Sequence, residues 1–181
     1  MTEIQLIEEC RAGNLTHFGE LVRLTTPVAY AVAFRMTGDD DEAKDIVQDT
    51  MVTIWQKIKK IRSSEAFRTW MYRIVVNKCY DCLRLRKKNP EYKANEPEWN
   101  RLSQIIPGNY SAPLENEETA EILNIMTNSL SATQKVVFIL SEIEEKTHDE
   151  ISEITGFSKT SIKANLYHAR KSIQEMAEKY L

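Results

Sequence analysis

The chain is poor in the residues that interrupt helices. Its 181 residues include five glycines and five prolines, and four of those prolines, Pro90, Pro97, Pro107 and Pro113, share one stretch. With so few breakers, and with Leu, Ile, Ala, Glu and Lys abundant, a mostly helical protein is expected. The N-terminus is polar and no apolar run approaches the length of a membrane span. No signal peptide or anchor is therefore read, and the protein is expected in the cytoplasm. Three cysteines, an odd number, fit reduced thiols. Cys79 and Cys82 have C-x-x-C spacing. However, no second ligand pair accompanies them, and His17, His148 and His168 are scattered. Two ordinary helix thiols fit better than zinc, and a redox pair lacks its βαβ setting. No glycine-rich phosphate loop or nucleophile elbow occurs, and neither a catalytic residue nor a cofactor is expected.

Charge is small in sum, with a net of −3, but uneven along the chain. From Lys57 to Lys88, 11 basic residues accompany two acidic ones, Glu65 and Asp81; the remainder carries 13 basic and 25 acidic residues. Such a split points to one basic surface for a polyanion. A solvated charged face is the plainer alternative for that segment taken alone.

Hydrophobic periodicity divides the chain into two helical units, 1–89 and 118–181, joined by a flexible linker over 90–117. In the first unit, a short helix covers Thr2 to Arg11 with Ile4, Leu6 and Ile7 inward. A longer one covers Phe18 to Met36, with Phe18, Leu21, Val22, Val28, Ala29, Val32 and Ala33 available for the core. Pro27 either kinks it or lies near its start. Ala43, Ile46, Val47, Met51, Ile54, Trp55 and Ile58 step at helical spacing. After a loop at 61–66, Phe67 to Lys88 forms a helix that is apolar on one side and basic on the other. In the second unit, Ile122, Leu123, Met126 and Leu130 make one stripe, and Ser131 with Gln134 opens another helix.

The most specific local pattern lies near the end. Thr147 and Glu150 have capping-box spacing, Ile151 and Ile154 give one apolar face, and Gly156 stands where a helix must stop. Ser158 caps a second helix with Ile162, Leu166, Ala169 and Ile173 on one side. Lys159, Lys163, His168, Arg170 and Lys171 lie on the other. This is a helix-turn-helix pattern, which presents its second helix to the major groove and makes duplex DNA the expected partner.

Three stretches in order carry a resemblance. Asp45-Ile46-Val47-Gln48-Asp49-Thr50-Met51 resembles the D-[LI]-V-Q-[ED]-[TV]-F stretch of bacterial sigma factors. Phe67 to Lys78, with Asp81, Leu83 and Arg84, resembles their F-R-x-W-L-x-R-I-A-x-N-x-x-x-D-x-x-R helix. Ile162 to Lys171 is similar to their V-K-S-R-L-x-R-A-R-x tail. The chain is identified on these grounds as a member of the extracytoplasmic-function (ECF) group of the sigma-70 family, which keeps regions 2 and 4 only. It departs from the family where Asn165 replaces an arginine, His168 a basic residue, and Lys159-Thr160 a Val-Gly pair. Met51 and Met71 replace Phe and Leu, tolerable apolar exchanges.

The resemblance implies an all-α protein of two small helical domains. Such a protein binds core RNA polymerase, recognises promoter DNA and helps to melt it, and is held by an anti-sigma factor. It implies polymerase contacts at Asp45, Ile46, Val47, Gln48, Asp49 and Met51. It implies −10 element contacts at Arg62, Ser63, Ser64, Phe67, Arg73, Asn77 and Arg84, with the loop before the basic helix cupping a flipped base. Aromatics that receive bases and cations that hold phosphates offset the cost of unstacking, and Trp70, Tyr72 and Tyr80 lie among the basic residues there. At helical spacing, Trp70 and Ile74 read more naturally as core. Contacts to the −35 element are implied at Ser158, Lys159, Thr160, Ser161, Lys163, Ala164, Tyr167 and His168. Two alternatives remain open: a helix-turn-helix regulator with a sensing or dimerising N-terminal unit, and a helical thiol enzyme using Cys79 and Cys82.

Overall fold

The computed structural model describes residues 2–89 and 123–180, and every regular element among them is helical. The linker expected at 90–117, and Ile122 of the stripe that follows it, lie outside the described residues.

Helix α1 (Glu3–Ala12) starts at a capping box between Thr2 and Gln5. Helix α2 (Phe18–Thr37) follows a single 3₁₀ turn and runs through Pro27 in its interior, not near its start. Gly38 ends it at φ +65, and a Cβ there would also strike the Asn124 side chain. Glycine meets both demands without strain. Helix α3 (Asp40–Lys57) opens with the Asp39 side chain accepting from Glu42 N, and three acidic residues fill its first turn, where the helix dipole favours them. A 3₁₀ turn (Ile58–Lys60) leads to the 61–66 loop, and helix α4 (Phe67–Lys88) has the bounds its sequence pattern predicts.

Among the described residues, the first helical stretch of the second unit is 123–127. Helix α5 (Ala132–Phe138) carries the expected Ser131–Gln134 capping box and runs into a π turn (Ile139–Ile143). Helix α6 (His148–Thr155) starts at the Thr147–Glu150 box and ends at Gly156 with φ +78. Helix α7 (Lys159–Tyr180) completes the fold.

Two cores result. One gathers Leu6, Ile7, Cys10, Leu21, Ile54, Ile58, Ile61, Phe67 and Met71 beneath α1. The other crosses between the units: Val32, Met36, Val75, Val76 and Leu83 share it with Val136, Val137, Ile151, Ile154 and Ile162. The units therefore pack as one body along α4. Polar contacts reinforce that seam. Glu144 accepts from Arg35 at 2.7 Å and from the Tyr72 hydroxyl, and Lys87 donates to Asn128 O at 3.0 Å. Within the second unit, Lys135, a residue 4% exposed, donates from its Nζ to Asn124 Oδ1 at 2.6 Å. In α1 and α2, two expected core residues face solvent instead. Ile4 is 46% exposed and Val28 44%, because the buried stripes of their helices run through Leu6–Ile7–Cys10 and Leu21–Thr25–Ala29.

Candidate functional site

The helix-turn-helix is held from inside. Ser152 Oγ donates to Phe157 O at 2.7 Å and Thr155 Oγ1 accepts from Phe157 N at 3.1 Å, so side chains from α6 fix the turn. Ser158 Oγ accepts from Ser161 N at 3.2 Å and caps α7. Ile162, Leu166 and Ala169 are buried. The opposite face leaves Ser158, Lys159, Thr160, Lys163, Ala164, Tyr167 and His168 exposed and Ser161 half-buried. Lys159 pairs with Asp149, and the Tyr167 and His168 rings meet edge to face at 5.4 Å. Asn165 turns back on its own helix, donating to Ser161 O at 2.8 Å, so the residue that replaces an arginine does not reach outward. Arg170 pairs with Glu142 at 2.7 Å, an ion pair inside the unit.

The basic surface lies on α4 and the loop before it. Arg73, Asn77 and Arg84 recur at one helix face, with Arg73 and Arg84 exposed and Asn77 half-buried. Arg84 sits 5.6 Å above the Tyr80 ring, and Lys78 pairs with Asp49 of α3 at 3.5 Å. In the loop, Arg62 is exposed, Ser63 half-buried and Ser64 buried. Of the aromatics among these cations, Trp70 lies in the core as its spacing suggests, and Phe67, Tyr72 and Tyr80 also turn inward. Phe67 is fully buried, and Trp70 packs against it in the α1 core. Tyr72 and Tyr80 turn toward the second unit, Tyr72 to Glu144 and Tyr80 to Thr133 and the edge of Phe157. Burial and the neighbouring Glu144 carboxylate push the Tyr72 phenol well above its usual range, so it stays a neutral donor.

On α3, Asp45, Gln48 and Asp49 are exposed along one face. Ile46 and Val47 are 7% exposed and Met51 is half-buried, so these three support the surface from beneath. The outer face continues instead through Val52 and Trp55, 50% and 45% exposed, with Trp55 edge-on to Phe18. Trp55 falls on the apolar stripe that the sequence pattern predicts for α3, yet it faces out, as does Val52. The register from Asp45 through Gln48, Val52 and Trp55 was the signal that locates both outside.

Cys79 is buried, and burial raises its thiol far above the usual range. Burial, then a hydrogen bond to Glu42, pushes Cys82 up to about 12. Neither is a thiolate at neutral pH. Among the described residues, no group of His, Cys, Asp and Glu gathers to hold a metal ion, and no helix is long and apolar enough to cross a membrane.

Two family models match, Sigma-70 region 2 over residues 21–89 and Sigma-70 region 4 over 126–173. RNA polymerase sigma factor SigV of Bacillus subtilis is 30% identical over 142 residues, 78% of this chain and 80% of that one. This chain belongs to the sigma-70 family of sigma factors. ECF RNA polymerase sigma factor SigW of the same organism is 26% identical over 177 residues, 93% of each chain, consistent with the ECF group. Two solved structures share the fold: CnrH in complex with the cytosolic domain of CnrY, and the sigma factor RpoE in complex with the anti-sigma factor NepR from Bartonella quintana. Their TM-scores are 0.65 and 0.60 at 22% and 23% identity. They cover 97% and 89% of this chain, and 97% and 96% of theirs. In this sigma factor, region 2 comprises α2 to α4 with the basic face, and region 4 carries the helix-turn-helix. Helix α1 lies ahead of the matched stretch.

Proposed function

We propose that this sigma factor docks on core RNA polymerase through the outer face of α3. In this reading it captures −10 bases with the 61–66 loop and the basic face of α4, and reads the −35 element with α7. The observation that carries the reading is the exposure, in one chain, of two separate DNA-suited faces: Arg62, Arg73 and Arg84 on one, with Asn77 half-buried beside them, and Lys159, Thr160, Lys163 and Tyr167 on the other.

The physics assigns different work to each. The exposed hydroxyls of Ser158 and Thr160 at the start of α7 suit phosphates, and Lys163 is long enough to reach guanine acceptors. Arg73, Arg84 and Lys88, all exposed, supply the salt-dependent grip on the backbone, whereas Arg86 is tied to Glu42 and to Thr37 O. Ser64 and Phe67, both buried, shape the loop and brace the helix rather than touch bases. Asp45, Gln48 and Asp49 offer an acidic and amide edge to basic partner groups, and Val52 with Trp55 gives that edge an apolar anchor of the kind that dominates interface energy.

The protein acts by binding in the cytoplasm and carries out no covalent chemistry. An anti-sigma factor that covers these faces is the expected inhibitor, as CnrY and NepR are bound to the two structural neighbours. The test is assembly on a column. Tagged protein should retain core polymerase, and the pair should retain promoter duplex in a salt-dependent manner that neither retains alone. Failure to retain polymerase would refute the reading and favour a stand-alone helix-turn-helix regulator.

A further inference from the structure

Helix α1 stands outside the region 2 match, which begins at residue 21, yet it grips the loop that region 2 offers to DNA. The Arg11 side chain reaches across the sequence to three points of that loop. Its Nη2 donates to Ile61 O at 3.1 Å and to Arg62 O at 3.2 Å, and its Nη1 to Ser64 Oγ at 3.4 Å. At the other end of the helix, Glu3 accepts from Arg68 Nε at 2.8 Å and Nη2 at 2.5 Å. Between these ties, Leu6, Ile7 and Cys10 are buried in the core that also holds Ile58, Ile61 and Phe67. The loop is thus braced from below by a packed helix.

The chemistry suits bracing. A guanidinium is planar, permanently charged and rigid in its fork of donors, so three bonds from one plane fix three loop atoms relative to one another. Ile61 is extended, at φ −67 and ψ 145, which turns the chain out of the preceding 3₁₀ turn. Ser64, 4% exposed, faces the guanidinium, while Arg62 is exposed and Ser63 half-buried. Within the loop, Ser63 Oγ accepts from Ala66 N at 3.3 Å. The Glu65 carboxyl is held below its usual range by its own backbone N–H, then by Ser63, with the Arg11 charge contributing.

We propose that Arg11 is a positioning residue for −10 recognition: without touching DNA, it sets the shape of the 61–66 loop that receives the extruded base. The inference rests on the reading of that loop as the base receiver. A receiver formed in advance loses less on capture than one that must be ordered by the base, so Arg11 governs base selectivity more than attachment.

The experiment uses the full chain assembled with core polymerase, on a promoter retrieved by in vitro selection with the unaltered protein. Fork DNA carries 2-aminopurine at successive −10 non-template positions to report extrusion. Arg11→Met should lower discrimination between selected and mismatched −10 bases by about tenfold, the scale of one base contact. It should dim the 2-aminopurine signal and speed amide exchange at residues 62–66, while polymerase assembly and −35 binding stay within about twofold. Arg11→Lys keeps the charge without the fork and should restore only part of the selectivity.

Faster loop exchange with unchanged selectivity would reduce Arg11 to a structural brace and overturn the proposal. Full recovery by Arg11→Lys would assign the effect to charge alone and overturn it too. Should Arg11→Met fail to fold, the partial or full behaviour of Arg11→Lys decides between the same outcomes. Unchanged discrimination in an Arg62→Ala, Ser63→Ala double variant would instead overturn the reading of the loop itself.

Discussion

Replacing Glu144 by glutamine perturbs the seam between the two units at one well-defined point. Glu144 accepts from Arg35 at 2.7 Å and from the Tyr72 hydroxyl, and the Lys146 ammonium lies 5.2 Å from the Tyr72 ring centroid. Glutamine keeps the shape and an acceptor for Tyr72, so the loss isolates the charge opposite Arg35. The carboxylate is 12% exposed and the guanidinium 22%, which places the pair between an exposed bridge and a fully buried one. Exposed pairs contribute up to about 1 kcal/mol, and breaking buried ones costs about 3–5 kcal/mol. About 2 kcal/mol is therefore expected here. Arg35 Nε already lacks a partner, so no bond in place at that nitrogen offsets the loss. Urea unfolding of Glu144→Gln, Arg35→Met and the double variant would give the coupling energy directly. A coupling below about 0.5 kcal/mol would mean that this contact does not hold the units together in solution.

Other perturbations test other faces. Trp55→Ser should weaken polymerase assembly by at least about tenfold while −35 duplex binding by the variant stays unchanged; undiminished assembly would remove the apolar half of α3 from the interface. Lys163→Ala should cost about 1–3 kcal/mol in −35 selectivity, measured across upstream sequence variants; equal affinity for all of them before and after would remove it as a base reader. Burial first, then Arg86 and Lys87, push the Lys135 ammonium down to about 7, with Glu42 opposing. The unfolded chain binds the extra proton between that value and the ordinary lysine range of about 10.4. Stability should therefore climb with pH above 7, by at most roughly 1.4 kcal/mol per unit. Lys135→Met should flatten that climb, and a slope the replacement leaves unaltered would contradict the buried placement.

Local chemistry made several elements legible in advance. The Thr147–Glu150 box, the stop at Gly156 and the Ser158 cap each depend on neighbours within a few residues, so sequence spacing carries them. The run from Phe67 to Lys88 is long and periodic enough to define its own ends. The harder question was which apolar residues face inward. Ile46, Val47 and Met51 share one motif with Asp45 and Gln48, and motif order leaves open whether those three pack inward or meet the partner. Helical geometry buries or half-buries the first three and turns Val52 and Trp55 out. Tyr72 and Tyr80, grouped with cations in sequence, pack against a unit more than 50 residues downstream, and no local period reports such docking. The same holds for Arg11, whose partners lie some 50 residues along the chain, so nothing near it in sequence signals its contact with the loop.

The central claim is that one chain joins a polymerase-docking surface to two promoter-reading faces. Run-off transcription with purified core polymerase on a randomised promoter library tests it most directly. The account predicts discrete start sites that require this protein and share two upstream sequence elements, with Lys163→Ala relaxing the distal one and Arg62→Ala the proximal one. Transcription that starts no more selectively with the protein than without it would contradict the account.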